Sequence, residues 1–378
     1  MIQYFDLTRL NNTYGDQLTQ AATRVMRSGW YVLGNEVKQF ENEYAQYVGT
    51  RYCITCGNGL DALTAILIAW RQMYGWNDGD EVILPDNTFI ATALAVSRAG
   101  LKPTLCEPHT DQPTIDENKI TPLITPRTRA IIPVHLYGQM ANMDAINRIA
   151  HRHHLMVLED ACQAHGAIYN STMGLQLNSL FGRRAGNNSH AAAFSFYPIK
   201  NLGCMGDGGA VTTDNSELAE RVRAIVNYGQ TVKYTHVYQG FNSRLDELQA
   251  AILRVKLQRL DHDNNRRIEI ANYYSTHICH PAVEVMPAVT DKSHVYHIYP
   301  IRCKNRKQLQ TLLTEAGIGT MTHYPIPIHR QQAYADYSHL AMPIADAWAD
   351  EEISLPISPA LTDDEVKQVV DCINQNIY

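Results

Sequence analysis

Three stretches of this chain hold residue types that do chemistry in combination. The first is FSFYPIKNLGCMGDGGA, residues 194–210. A strand-like apolar run over 191–196 meets Pro198, which cannot donate to a sheet ladder and turns the chain away. Lys200 lies on that turn, and Gly203, Gly206, Gly208 and Gly209 let the backbone fold tightly beside it. Read alone, such a lysine is a solvated surface charge. In a partly desolvated setting its amine deprotonates more easily, and only the neutral amine attacks a carbonyl. The second stretch is LEDACQAHGA, residues 158–167. An apolar strand over 155–158 delivers Glu159 and Asp160 to its carboxyl end, where open parallel sheets bind ligands. Alternation sends the two acids to opposite sides, so one faces a site or, more plainly, caps the following turn. The third is CGNGLDAL, residues 56–63, between a strand-like 52–55 and the apolar run 65–69. Glycines at a strand-to-helix junction admit an anion to the backbone N–H groups, and a helix N-terminus favours negative charge. The spacing Gly57-x-Gly59-x-x-Ala62 also imitates a dinucleotide fingerprint, with Asp86 as its ribose partner. A tight turn would explain the glycines equally well.

In this order, a phosphate-binding helix start, a strand-end acid and a loop lysine are together what pyridoxal phosphate requires. The lysine forms a Schiff base, the acid keeps the pyridine nitrogen protonated, and the glycine loop anchors the phosphate. The elements that must position them are legible as a pattern. Apolar runs at 81–84, 130–134, 155–158, 191–196 and 210–213 alternate with helical patterns at 89–99, closed by Gly100, and near 143–151. That alternation predicts a mainly parallel sheet flanked by helices. From Asn242 the texture changes. Residues 244–260 read as one long amphipathic helix joining two domains, 296–302 as a strand, and 305–316 as a helix with Asn305 at its N-cap. Thr362-x-x-Glu365 is a capping box before a last helix. The expected division is a large α/β domain over 1–250 and a smaller α+β domain over 251–378.

Composition narrows the function classes. A net charge of −6 without a dominant Lys/Arg cluster offers no field for nucleic acid. No apolar run approaches the about 18 residues that span a membrane, and the start lacks a signal-peptide layout. Eight cysteines then read as reduced thiols of a cytoplasmic protein. Cys53 and Cys56 have C-x-x-C spacing but no second pair, and HRHH at 151–154 suits the negative end of a helix, so no metal site is expected.

Over nearly its whole length the chain resembles the DegT/DnrJ/EryC1/StrS sugar aminotransferases, of the aspartate aminotransferase fold (fold type I). The likeness includes SGWYVLGNEVKQFE (28–41), CGNGLDAL (56–63), LPDNTFIATALA (84–95), VHLYGQ (134–139), LEDACQAHGA (158–167), FSFYPIKNLGCMGDGGA (194–210), GFNSRLDELQAAIL (240–253) and HYPIPIHRQ (323–331). The resemblance implies that Lys200 bonds the cofactor covalently and that Asp160 pairs with the pyridine nitrogen. Phe89 would stack on the ring, and Gln163 would lie on its hydroxyl side. Backbone amides of Gly59 and Leu60, with the Ser195 hydroxyl, would hold the phosphate. Asn242 would reach that phosphate from the partner subunit of a homodimer with shared active sites. Trp30, Tyr31, Tyr324 and His329 would line the sugar-nucleotide side. Cys162 and Cys204 stand where smaller residues are commoner in the family, and 187–190 are more polar than usual.

The reaction so implied is a two-step transamination with L-glutamate as donor and a nucleotide-linked keto sugar as acceptor. The motifs at 28–41 and 194–203 look most like members that aminate C3 of dTDP-3-keto-6-deoxyhexoses, with C4 amination as the near alternative. Sugar dehydratases on the same fold carry His in place of the lysine. A nicotinamide oxidoreductase would leave Asp160 and Lys200 without roles. A non-catalytic regulator would exchange no amino group with glutamate.

Overall fold

The computed structural model describes residues 1–170, 180–289 and 291–376. Its large sheet contains β1 (Tyr52–Cys56), β2 (Glu81–Pro85), β3 (Lys102–Cys106), β4 (Thr128–Ile131), β5 (Met156–Asp160), β6 (Ala191–Ser195) and β7 (Gly209–Thr213). Their order across the sheet is β1-β7-β6-β5-β4-β2-β3. The strands from β3 to β6 are parallel, whereas β7 runs antiparallel to both β6 and β1. Every residue of β2 is buried, as a strand covered on both faces requires. Successive side chains feed two apolar clusters: Ile83, Ile131 and Val157 enter one, Val82, Leu84 and Leu158 the other. Cys53 and Cys56 part in the same way, one into each cluster. Burial raises both thiols.

A hairpin follows, β8 (Gln230–Val232) with β9 (Thr235–His236), and then a second sheet of β10 (Glu284–Val285), β11 (Tyr299–Arg302) and β12 (Glu352–Leu355). Helices Leu260–His277, Arg306–Glu315 and Asp363–Asn376 close over this sheet around Tyr274, Ile301, Leu313, Leu355 and Val369. Ile2 joins that cluster, and its N–H donates to Gly317 O at 2.8 Å. The first residues therefore pack with the C-terminal sheet. Among the described residues no helix is long and apolar enough to cross a membrane.

Three elements differ from the sequence pattern. The run 244–260 is not one helix: Glu247–Leu257 ends, and Leu260–His277 begins after Arg259. Asn305 precedes its helix without a side-chain cap bond. β3 carries Lys102 and Pro103, so its strand character was hidden. The capping box does form, with Thr362 N–H to Glu365 Oε2 at 2.9 Å and Glu365 N–H to Thr362 Oγ1 at 3.2 Å.

Candidate active site at the carboxyl end of the sheet

β5 and β6 are neighbours, with Asp160 in register with Ala193. The two acids ending β5 diverge. Glu159 is fully buried and takes N–H bonds from His135 Nε2 (2.9 Å), Gly186 (2.9 Å) and Asn188 (2.8 Å). Burial alone would raise its carboxyl, but His135 and these backbone donors bring it below the usual range. His135 Nδ1 accepts the Ala141 N–H, so its proton is on Nε2, facing Glu159. Glu159 is thus spent on structure. Asp160 instead accepts the Thr92 hydroxyl at 2.8 Å through Oδ2 and the Cys162 N–H at 3.3 Å through Oδ1.

Lys200 follows β6 on a turn closed by its own N–H to Tyr197 O at 2.8 Å. A Cβ on Gly203 would lie 2.2 Å from Pro198 O, so no larger residue fits there. Burial pushes the Lys200 amine down, and Cys162 and Asp160 oppose that shift. Among the described residues no carboxylate pairs with it; the polar atom within reach is His297 Nε2, at 3.4 Å. A lysine so placed is unlike a solvated surface charge.

Helix Gly59–Tyr74 starts against the same strand ends. Asn58 Oδ1 caps it by accepting the Asp61 N–H at 2.8 Å. A Cβ on Gly59 would sit 2.8 Å from Ser195 Cβ and 2.9 Å from Cys162 Sγ, and one on Gly209 would sit 2.4 Å from Asn58 C. The glycines let the helix start touch β5, β6 and β7 at once, which brings Gly59, Leu60 and Ser195 together. Asp61, the acid of the first turn, is bonded to the Ser243 hydroxyl at 2.7 Å and Arg98 at 3.1 Å. Its charge is therefore compensated at a place otherwise suited to an anion.

Phe89 is half-exposed, its ring centroid 5.2 Å from that of Tyr324. Gln163 joins this group: its Oε1 accepts the Tyr137 N–H at 2.6 Å, and its Nε2 donates to Tyr324 Oη at 3.0 Å. His329 has a different setting. It is buried, with Nδ1 2.5 Å from Asp86 Oδ2, its N–H on Asp86 Oδ1 at 2.9 Å, and Nε2 3.3 Å from Asp346. The acid with the look of a ribose partner is thus taken up by a histidine of the same chain. Trp30 and Tyr31 are exposed, and Trp30 Nε1 donates to Val32 O. Asn242 is exposed and bridges Asn227. Among the described residues no hydrogen bond links these three to Lys200 or Asp160 within one chain. Elsewhere His109, Asp116 and Glu117 bring ligand atoms within 4.8 Å of one another, with His109 already bonded to Glu117 at 2.8 Å.

Sequence reasoning missed Thr92 and His297. Thr92 had a signal, since it opens the helix after Phe89 and faces back toward the strand ends. His297 had none, being brought to Lys200 across 97 positions.

The model of the DegT/DnrJ/EryC1/StrS aminotransferase family matches residues 12–374. This chain belongs to that family. The aminotransferase is similar to the dTDP-3-amino-3,6-dideoxy-alpha-D-galactopyranose transaminase of Aneurinibacillus thermoaerophilus, 49% identical over 378 residues and covering 100% of both chains. Among solved structures it resembles S. venezuelae DesV in complex with a ketimine intermediate, with a TM-score of 0.92 at 42% identity over 100% of this chain and 99% of that one. It also resembles NtdA of Bacillus subtilis with bound PMP, with a TM-score of 0.87 at 32% identity over 98% of this chain and 84% of that one. The parallel sheet with its antiparallel β7 is accordingly the fold type I aminotransferase architecture.

Proposed function

We propose that this aminotransferase moves the amino group of L-glutamate to C3 of a dTDP-3-keto-6-deoxyhexose, giving the 3-amino-3,6-dideoxy sugar and 2-oxoglutarate, with pyridoxal phosphate as cofactor. The observation that carries this reading is the convergence of Lys200, Asp160 and the Gly59 helix start at one end of the sheet. The similarity to a dTDP-3-amino-sugar transaminase over the full chain supports the substrate class. The residues fit the cofactor. The contact at Gly59 leaves backbone N–H groups and the Ser195 hydroxyl for a phosphate, and Asp160 is an acceptor for a ring N–H. When bound, the cofactor supplies an electron sink for breaking the bond to the α-proton.

The protein does the rest. Lys200 attaches the cofactor and, once released, carries a proton off the donor carbon and later back to the sugar carbon. Its lowered pKa suits both directions. Asp160, oriented by Thr92, holds the ring proton. Phe89 would cover the ring of the bound cofactor, and Gln163, fixed by Tyr137 and Tyr324, would meet its hydroxyl side. Asn242 of a second copy completes the phosphate site. Trp30, Tyr31 and Tyr324 face the sugar nucleotide, and His329 serves that side by holding 325–331 against Asp86. The enzyme works as a cytoplasmic homodimer, divided into domains near residue 250. Its diphosphate-linked substrate offers binding energy remote from the reacting carbon.

Incubation with glutamate and a panel of 3-keto and 4-keto dTDP-sugars tests this reading. Wild type should give the 3-amino product, and Lys200→Ala should lose at least about 10³-fold in rate. A 4-amino product would overturn the position. Absence of amino transfer to any keto sugar would overturn the activity.

A further inference from the structure

Lys200 and His297 come from parts of the chain that meet only in the folded molecule. Lys200 sits on the β6–β7 link, and His297 on the segment entering β11. That segment is pinned on several sides. Val295 N–H donates to Gly138 O at 3.0 Å, Ile298 N–H to Tyr137 O at 3.3 Å, and Asn201 Nδ2 to Val295 O at 3.0 Å. A Cβ on Gly138 would lie 3.0 Å from His297 N, so the two backbones are in contact. Asn201 follows Lys200 directly, so one link ties the lysine loop to the histidine segment beside the side-chain contact itself. His297 itself is buried.

The charge balance around the amine makes this contact consequential. Asp160 and Cys162 face Lys200 from the end of β5, and His165 from the turn after it. His323 faces it from the segment leading to Tyr324, and Arg267 faces His297. Burial and the Lys200 charge put His297 well below the usual histidine range, so its ring is neutral. Among the described residues its Nδ1 is buried without a partner, and Nε2 is the nitrogen turned to Lys200. Among the described residues a buried ammonium here meets no carboxylate, and the lone pair of His297 Nε2 is the acceptor within reach.

We propose that His297 Nε2 is the acceptor that holds the released Lys200 amine in place for proton transfer. This role rests on reading Lys200 as the group that moves the proton. His297 is a positioning residue: it aims one N–H of the amine and stabilises its charged form, partly offsetting burial.

The test reads the amine itself. The full-length protein is freed of cofactor, and the pH dependence of Lys200 acetylation by acetic anhydride is followed by mass spectrometry of its peptide. His297→Phe and His297→Leu remove the acceptor, while His297→Gln keeps one. Each apolar variant should move the midpoint down by about one pH unit, and the Gln variant should restore it. A midpoint that stays put or rises in the apolar variants overturns the proposal, and either variant alone suffices. Lys200→Ala separates the two readings. If it transfers amino groups at the wild-type rate, the role of Lys200 itself falls. If it is inactive and the midpoint has not moved, only the role of His297 falls.

Discussion

Glu352, at the start of β12, is a buried carboxyl with no cation in bonding contact among the described residues. One oxygen accepts the His323 backbone N–H at 2.7 Å, and the other is hydrogen-bonded to the Ser354 hydroxyl. The Ser354 hydroxyl also lies 2.8 Å from His323 Nδ1. Burial pushes Glu352 up to about 8 and His323 down to about 4. A neutral acid thus meets a neutral imidazole below Tyr324. In the unfolded chain the carboxyl titrates near its ordinary 4.5. Between that value and about 8 the native state holds a proton that the unfolded state has lost, so this group's contribution to stability falls as pH rises. Thermal unfolding of wild type and Glu352→Gln from pH 5 to pH 8 checks this. Wild type should lose stability relative to the variant across the range, whereas parallel curves would mean that Glu352 is already ionised in the fold. Single residues also mark the limit of reading sequence. Lys200, Asp160 and Gly59 stood out because their types and neighbours are local. The settings of His329 and Glu352 depend on partners far along the chain, Asp86 for the first and His323 for the second.

At the scale of elements, Gly59 separates propensity from packing. Alanine in a helix is favoured over glycine by about 1 kcal/mol. Its Cβ, however, would lie 2.8 Å from Ser195 Cβ and 2.9 Å from Cys162 Sγ, and overpacking of that kind costs about 1–3 kcal/mol. Packing should win. Gly59→Ala is expected to lower the unfolding midpoint and weaken pyridoxal phosphate binding by at least about tenfold, measured by absorbance titration. A more stable variant with unchanged affinity would show that the helix start has slack. The same contest explains which elements were legible. EVIL at 81–84 lies in the sheet interior, where continuous apolar character is required. β3 is an edge strand, so Lys102 and Pro103 are tolerated and the pattern disappears. The break at Arg259 carries no Gly or Pro, so nothing in the residue types marks where the new helix starts.

For the whole molecule, exposed apolar side chains include two stretches, Trp30, Tyr31, Val32 and Leu33, and then Tyr228, Val232, Tyr234 and Val237. Such exposed apolar surface fits the proposed second copy. The proposed sharing of the phosphate site can be tested with hybrids. Lys200→Ala and Asn242→Asp protomers are mixed after separate purification and exchanged into hybrids. If Asn242 acts across the dimer, a hybrid keeps one intact site, and about a quarter of all sites should recover. Activity that stays at the level of the two parents would place Asn242 in its own subunit's site.

β7 joins β1 to the rest of the sheet, with Tyr52 opposite Thr213. A growing chain emerging from the ribosome therefore makes β1 long before its partner exists. Until β7 arrives, β1 has an open edge on both sides, and the start of the Gly59 helix lacks the contact between Gly209 and Asn58. This long-range pairing is a slow kind of closure. Cofactor binding competence should consequently be acquired late in folding, and a nascent chain halted before Gly209 would be a client for chaperones rather than a partial enzyme.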